Sequence, residues 1–315
     1  MTATRSDWYI IINPHAGSGK TMEQWVVAEK KLSGTGVKYQ AAFSEYKSHA
    51  KELAASAAEE GFRKFIAVGG DGSIHDVFSG VLGWCEETGT PSEDFCLAVI
   101  PIGSGNDWIK SLDVPSDTSG VVDLIKKEKF RRQDVVKVVS SGGKVCHMAN
   151  IGGIGFDSHV CERVNSKKER GYRSKGIYIF SLLYTILHLR KFNATVIGDG
   201  ETLYSGPCFS IALGNGRFSG GGMLQTSAAD MNDELVDVMI VPVMPLFRII
   251  TEIHRIFDGT IMDSKYMVYR QCRDLKVVSP DSGPSEIIEI DGEIEGCLPL
   301  EVSVTGNKVN VLCGD

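Results

Sequence analysis

The segment Ile66-Ala67-Val68-Gly69-Gly70-Asp71-Gly72-Ser73 decides the fold of this chain. Apolar residues typical of a buried strand end at three glycines that surround one aspartate, and a helical pattern follows Ser73. Because glycine has no Cβ and tolerates positive φ, the backbone of such a turn can approach a ligand closely. Backbone N–H groups at a helix start attract phosphates, and the Asp71 carboxylate suits such a place if Mg²⁺ lies between them. The turn therefore predicts a Mg-nucleotide site, and a tight turn without any ligand is the alternative.

Strand-like and helical runs alternate over the first 130 residues. The predicted strands are Trp8–Ile12, Val37–Phe43, Phe65–Val68 and Phe95–Ile100, and the predicted helices are Lys20–Leu32, Ser48–Glu60 and Ile74–Leu82. This order favours an α/β domain, in which a parallel sheet carries helices on both faces. Ligands bind at the carboxyl ends of the strands in such sheets.

After about residue 131 the pattern changes to short β-branched runs separated by glycine turns. These runs are Val135–Val139, Ala194–Ile197, Phe209–Leu213, Val236–Val241, Leu275–Val278, Ile287–Ile290, Leu300–Val304 and Val309–Leu312. They are typical of a mainly antiparallel β-sandwich, interrupted by one helical insertion at Gly176–Lys191. We expect a nucleotide-binding domain over residues 1–130 and a β-sandwich domain over residues 131–315.

Composition, cysteine spacing and apolar runs argue against several classes of protein. The chain has 315 residues, 43% hydrophobic, with a net charge of -7, which argues against a general nucleic-acid binder. Its eight cysteines form no C-x-x-C pair, so they favour reduced thiols over a disulfide framework or a zinc site. Residues Met1 to Asp7 are polar and lack the apolar core of a signal peptide. The longest apolar run, Ile177–Leu189, is too short to span a bilayer. We expect a cytoplasmic protein.

Two further glycine-rich loops follow predicted strands. The segment Asn13-Pro14-His15-Ala16-Gly17-Ser18-Gly19-Lys20-Thr21 ends like a P-loop, but Pro14 stands where that motif requires glycine. The segment Pro101-Ile102-Gly103-Ser104-Gly105-Asn106-Asp107 is the third such loop. Three loops of this kind on one sheet favour a ligand site over turns without a ligand.

These three segments resemble, in order and spacing, the diacylglycerol kinase catalytic family, in particular its bacterial lipid kinases. The resemblance covers nearly the whole chain, because two later motifs agree as well. It implies that Asp71 is catalytic, organising Mg-ATP and polarising the γ-phosphate. The ATP contacts that it implies are Asn13, Ser44, Gly69, Gly70, Asp71, Gly72, Ser73, Ile74, His75 and Ser104.

The first later motif runs from Asp230 to Asp237 and resembles the metal loop of the family. The resemblance implies a structural Mg²⁺ held by the Asp233 carboxylate and by the main-chain carbonyls of Asp230 and Leu235. Such an oxygen-only shell suits a hard cation. Glu234 stands where the family usually has glycine, which puts the shape of this loop in question. An acidic surface turn is the alternative.

The second later motif is Ile290-Asp291-Gly292-Glu293, which resembles the Asp-Gly-Glu turn of the family. The resemblance implies that Glu293 is the general base that takes the proton from the acceptor hydroxyl. Asp-Gly between strand-like runs is also a strong hairpin signal, and both interpretations can hold together.

A further expectation concerns the molecule that accepts the phosphoryl group. Residues Arg163 to Lys175 include six basic side chains and precede the apolar run, an order that suits an anionic membrane surface. A solvated basic loop before a core-facing helix is the alternative. The resemblance implies an ATP- and Mg²⁺-dependent lipid kinase at the inner membrane face, with diacylglycerol as leading acceptor. A sphingoid-base or other lipid kinase, an NAD kinase and a non-catalytic nucleotide sensor stay open, as does a homodimer.

Overall fold

Contacts between residues divide the chain into two structural units. The first unit contains Met1–Val135 and Gly306–Asp315, and the second contains Val136–Thr305. The structure, a computed structural model, describes residues 4–19, 21–103, 105–170, 176–280 and 285–314.

Parallel strands form the sheet of the first unit. Its strands are β1 (Arg5–Ile12), β2 (Tyr39–Phe43), β3 (Phe62–Gly69), β4 (Cys96–Pro101) and the start of β5 (Phe130–Val139). Its helices are α1 (Thr21–Ser33), α2 (His49–Glu59), α3 (Asp71–Thr88), α4 (Asp107–Lys110) and α5 (Thr118–Lys127). The strand order is β2-β1-β3-β4, every pair is parallel, and α2 packs on α3 as α1 packs on α5. The predicted α/β class is therefore confirmed.

Strand β1 is buried on both faces, as an inner strand of a parallel sheet is expected to be. Trp8, Ile10, Ile11 and Ile12 of β1 are all buried, although neighbouring residues of a strand point to opposite faces. A continuous apolar run of this kind is what a strand covered on both faces requires.

The second unit is antiparallel. Its further strands are β6 (Val145–Met148), β7 (Ile151–Gly155), β8 (Phe192–Gly198), β9 (Glu201–Gly214), β10 (Val236–Pro242), β11 (Val268–Cys272), β12 (Asp274–Val278), β13 (Ile287–Ile290), β14 (Glu293–Cys297) and the first part of β15 (Leu300–Leu312), whose residues from Gly306 onward belong to the first unit. Its helices are α6 (Phe156–Glu169), α7 (Gly176–Leu187), α8 (Leu246–Glu252) and α9 (Arg255–Asp258). The strand order is β14-β13-β7-β9-β8-β12-β15, and β10 lies between β9 and β11. The predicted β-sandwich with antiparallel strands is confirmed.

Strand β9 pairs with different strands along its length. Its residues 201–208 pair with β8, whereas its residues 210–214 pair with β7 on one side and β10 on the other. The apolar residues of these strands form a buried cluster that includes Ile154, Ile211, Val238, Val277 and Ile290.

Several elements were not predicted from the sequence, among them helices α5, α8 and α9 and strands β6, β7, β11 and β14. Helix α6 was not predicted, and it contains the first part of the basic segment, of which residues 171–175 lie outside the described residues. The two runs predicted separately at 300–304 and 309–312 form the single strand β15. Within the described ranges, no helix is both long enough and apolar enough to cross a membrane.

Candidate active site

The predicted nucleotide contacts of the first unit lie at one edge of its sheet. Asn13 follows β1 and Ser44 follows β2, while residues 69–75 end β3 and begin α3. The Asn13 backbone N–H donates to the Val68 carbonyl at 3.1 Å, and the Ser44 N–H donates to the Ile12 carbonyl at 2.9 Å. These bonds continue the parallel pairing past the strand ends, so the loops lie side by side.

A close contact joins two of the glycine-rich loops. Asn13 Nδ2 donates to Ser73 Oγ at 3.3 Å. A Cβ atom at Gly69 would lie 2.2 Å from the same Ser73 oxygen, so this position requires glycine. Gly70, Asp71 and Gly72 are half-buried at the start of α3, where no side chain caps the helix. Uncapped N–H groups at a helix start are suited to bind an anion.

The other predicted ATP contacts stay predictions. The side chains of Ser44, Ile74 and His75 are buried. Ser104 lies outside the described residues.

Asp71 connects the second glycine-rich loop to the third. Its Oδ1 accepts the backbone N–H groups of Asp107 at 2.9 Å and Trp108 at 3.3 Å, at the start of α4. Its Oδ2 faces Gly105, since a Cβ atom there would lie 3.1 Å away. Lys110 Nζ in turn contacts Asp107 Oδ1 at 2.6 Å. The Asp71 carboxylate thus holds the loop after β4 with one oxygen and borders a glycine with the other.

In the second unit, the Asp-Gly-Glu motif forms a hairpin turn. Ile290 pairs with Glu293, so Asp291 and Gly292 are the two loop residues between β13 and β14. Their φ angles are 52° and 87°, the positive values that a two-residue hairpin loop favours. The predicted hairpin is confirmed, and Glu293 is the first residue of β14.

The Asp291 carboxylate fixes this turn to the strand beside it. Oδ2 accepts the N–H of Ala149 at 2.8 Å, and Oδ1 accepts those of Asn150 at 2.8 Å and Ile151 at 3.1 Å. Asp291 is also buried. Charge-assisted bonds of this kind are stronger than neutral ones, so Asp291 anchors the turn.

We expect Asp291→Ala to lower the free energy of unfolding by about 3 kcal/mol, because it leaves three buried N–H groups without their acceptor. Urea unfolding followed by circular dichroism measures this loss. The control is Asp123→Ala at an exposed site on α5, which should change stability by less than about 0.5 kcal/mol. Equal effects of the two substitutions would contradict the anchoring role.

Helix α6 holds the same turn at its glycine. Cys161 Sγ and Asn165 Nδ2 both donate to the Gly292 carbonyl at 3.0 Å. The Gly292 N–H donates to Glu289 Oε2 at 2.9 Å. Both the N–H and the carbonyl of Gly292, the residue before Glu293, are therefore hydrogen-bonded. Sequence reasoning missed Cys161 and Asn165 because it did not predict this helix.

The metal loop contains two local side-chain turns. Asp230 Oδ1 accepts the Asn232 N–H at 3.1 Å, and Asp233 Oδ1 accepts the Leu235 N–H at 3.0 Å. Glu234 has a φ of 65°, the left-handed conformation that glycine adopts most easily. Glu234 thus takes the backbone conformation expected of a glycine, and its carboxylate lies 3.4 Å from Arg273.

Asp237 is a candidate that sequence reasoning quoted but did not assign. It is buried in β10, and Gln271 Nε2 donates to its Oδ2 at 3.4 Å. Its Oδ1 is buried and has no hydrogen-bond partner among the described residues. Burial, followed by the charges of Asp233 and Asp230, raises the pKa of Asp237 to about 7. A cation would relieve this cost, so the oxygen donors of the loop fit Mg²⁺. The sequence signal for Asp237 is an aspartate between the apolar residues of a predicted strand.

Comparisons with known proteins match the two parts of the chain to two family models. Residues 7–138 match the family described as "Diacylglycerol kinase catalytic domain". Residues 151–313 match the "YegS C-terminal NAD kinase beta sandwich-like domain".

Two relatives match over nearly the whole length of the chain. The chain is 24% identical to a Bacillus subtilis (strain 168) protein named lipid kinase YtlR, over 97% of this chain and 99% of that one. It is 23% identical to the "Diacylglycerol kinase" of Mycobacterium tuberculosis (strain ATCC 25618 / H37Rv), over 96% and 93% of the two chains. A crystal structure of a diacylglycerol kinase from Bacillus anthracis str. Sterne superposes with a TM-score of 0.73 at 18% identity, covering 98% and 97%, and so shares the fold.

Proposed function

Because this chain belongs to the diacylglycerol kinase family with a YegS-type C-terminal domain, we propose that it transfers the γ-phosphate of ATP to a lipid hydroxyl, most favourably that of diacylglycerol. The observation that carries the proposal is the Asp71 carboxylate, which holds two glycine-rich loops together at the sheet edge. Phosphoryl transfer depends mainly on positioning and on charge neutralisation, and such a cradle serves both.

The nucleotide would bind along this edge. Main-chain N–H groups of Gly70, Asp71 and Gly72 would donate hydrogen bonds to the phosphates, and Asn13 and Ser73 would add polar contacts. Mg²⁺ bound with the nucleotide would neutralise charge that develops on the phosphates. The role assigned to Asp71 is to hold that cation while its other oxygen keeps the loop after β4 in place.

Glu293 would act on the acceptor. A carboxylate can accept the hydroxyl proton when the phosphorus–oxygen bond forms. The rigid hairpin supports this role, because Asp291 and Gly292 are both held by hydrogen bonds from neighbouring segments. Asp233, together with the carbonyls of Asp230 and Leu235 and the nearby Asp237, would hold a structural Mg²⁺.

The membrane-facing surface is proposed at α6 and α7. The Arg163 guanidinium lies 3.7 Å from the centre of the Tyr184 ring, and Lys167 Nζ lies 4.0 Å from that of Phe180. Phe180 is 57% exposed and Leu187 is 73% exposed. Cations beside exposed apolar side chains suit the headgroup region of an anionic bilayer, where a lipid acceptor is found.

Charge reversal tests this surface. We expect Lys167→Glu to weaken binding to phosphatidylglycerol vesicles by about tenfold, because each basic side chain near the surface contributes about 1 kcal/mol. Vesicle sedimentation measures the change, and phosphatidylcholine vesicles should show little binding. Lys38→Glu makes the same charge change at an exposed site of the first unit and should leave binding unchanged. Equal losses in both variants would place the contact elsewhere.

A lipid-panel assay tests the function itself. Purified protein, radiolabelled ATP and Mg²⁺ are mixed with diacylglycerol, a sphingoid base, ceramide or NAD, and the products are separated by thin-layer chromatography. We expect labelled phosphatidic acid from diacylglycerol. Labelling of the sphingoid base alone would change the acceptor, and labelling of NAD alone would support a soluble-substrate kinase. ATP binding without turnover in any arm would support a nucleotide sensor.

A further inference from the structure

A pair of stacked aromatic rings follows β2 in the first unit, and the proposed catalytic roles do not use it. The Tyr46 and His49 rings have centroids 4.3 Å apart, and their planes are only 7° from parallel. Tyr46 comes two residues after Ser44, whose N–H continues the pairing of β2 with β1. The pair therefore follows the same edge of the sheet as the glycine-rich loops.

Hydrogen bonds hold both rings in place. The Tyr46 hydroxyl donates to Glu52 Oε2 of α2 at 2.6 Å. The Glu45 N–H donates to His49 Nδ1 at 3.0 Å, and the His49 N–H donates to the Tyr46 carbonyl at 3.2 Å. Side chains that are already ordered lose little conformational entropy when a ligand binds, so this pair is suited to contact one.

The Tyr46 ring is ordered but not buried. Tyr46 is 54% exposed, and the His49 imidazole covers one face of its ring, so the exposed area includes the opposite face. A role in the core would bury the ring, as it does for Tyr9 of β1, which is 8% exposed. An aromatic face that is held open at this edge favours a flat partner, because offset-stacked rings attract each other.

The position of Asp71 indicates the direction of a bound nucleotide. Asp71 contacts the loop after β4, and its proposed role is to hold the Mg²⁺ of the phosphates. In the strand order β2-β1-β3-β4, β2 lies on the other side of β3 from that loop. With the γ-phosphate near Asp71 and the other phosphates between Gly70 and Asn13, the nucleoside extends toward β2. The ends of β3 and β2 are two strand spacings apart, about 10 Å, a distance that the ribose can bridge.

We propose that the purine base of the nucleotide stacks on the exposed face of Tyr46, and that this contact makes the chain prefer ATP to a pyrimidine nucleoside triphosphate. A purine has two fused rings and can cover more of the phenol ring than a pyrimidine does. The contacts proposed for Asn13 and residues 69–73 involve phosphates, which every nucleoside triphosphate has, so they provide no such selection. This assignment rests on the proposed function, and it adds the residue that recognises the base.

Binding measurements without an acceptor lipid test this assignment. Calorimetric titration gives dissociation constants for the Mg²⁺ complexes of ATP, of CTP and of tripolyphosphate, which has the phosphates but no base. The unsubstituted protein should bind ATP more tightly than CTP. Tyr46→Ala should weaken ATP binding by between about fivefold and a hundredfold, the range expected when one base–aromatic stack is lost. Its affinity for tripolyphosphate should not change.

Further variants separate stacking from a structural effect. Tyr46→Phe keeps the ring and loses only the hydroxyl that is bonded to Glu52, so it should retain the preference for ATP over CTP. Tyr39→Ala removes a tyrosine at the opposite end of β2 and should leave the ratio of the ATP and tripolyphosphate affinities unchanged. Circular dichroism shows which variants are folded, and Tyr46→Leu, closer in size to tyrosine, replaces the alanine variant if that one does not fold.

Equal losses of ATP and tripolyphosphate affinity in the folded Tyr46 variant would overturn the stacking assignment, as would equal binding of ATP and CTP by the unsubstituted protein. An unchanged ATP affinity in that variant, together with phosphorylation of diacylglycerol by the unsubstituted protein, would overturn the assignment and leave the proposed function in place. A preference for ATP that depends on Tyr46, without phosphorylation of any lipid, would support the assignment and overturn the proposed function.

Discussion

Asp71→Asn is expected to lower kcat for lipid phosphorylation by about a thousandfold. Asparagine retains an oxygen that can accept the N–H groups of Asp107 and Trp108, so the loop after β4 should stay in place. The substitution removes only the negative charge, which the proposed role needs to hold Mg²⁺ with the nucleotide. Losses of two to three orders of magnitude are typical when one group that stabilises transition-state charge is removed. Steady-state kinetics with saturating ATP measures the effect.

Two comparisons separate this charge effect from a structural one. Asp71→Ala removes the charge and the acceptor together, so it should lower the unfolding midpoint, whereas Asp71→Asn should leave it close to that of the unsubstituted protein. Asp123→Asn removes a carboxylate at an exposed site and should leave kcat unchanged. A kcat for Asp71→Asn within tenfold of the original value would remove Asp71 from the catalytic machinery.

Glu293→Gln is expected to lower kcat by about two to four orders of magnitude, the range that general bases contribute. Glutamine has nearly the same shape but cannot take the hydroxyl proton. Because Glu293 is proposed to act on the acceptor, the KM for ATP should change by less than about threefold. Initial rates at varied ATP and fixed diacylglycerol provide both constants.

Glu301→Gln on β15 serves as the control for Glu293→Gln. Glu301 is exposed and its carboxylate lies 2.7 Å from Lys276, so its loss should not affect turnover. Full activity of Glu293→Gln would assign the proton transfer to another group or to solvent, while the hairpin itself would remain as described.

The sequence predicts the first unit well, because its buried strands are continuous apolar runs that end in glycine-rich loops. Helix α6 was missed because it contains many polar and charged residues, such as Glu162, Arg163 and Asn165, and has no clear apolar stripe. Strand β15 was divided because Gly306, with a φ of 79°, and its polar neighbours resemble a turn.

In the candidate site, too, the sequence predicts some features and misses others. The loops that contain Asn13, Asp71 and Glu293 can be found from local sequence, because glycines and turn residues mark them. The bonds from Asp71 to the start of α4, and from Asn165 to the Gly292 carbonyl, join residues 36 and 127 positions apart. Such bonds depend on how the elements pack, and no local pattern indicates them. The roles assigned to these residues, and to Ser104, stay predictions.

Strand β15 also affects the order in which the protein folds during synthesis. Asn310 and Val311 pair in parallel with Cys96 and Leu97 of β4, and Val309 and Leu312 are buried. A ribosome releases residues 1–135 long before it has made these partners. The nascent first unit must therefore wait, with one side of β4 unpaired, until translation has passed residue 312. Until then, that side of β4 carries unpaired backbone N–H and C=O groups, the kind of strand edge at which another chain can pair.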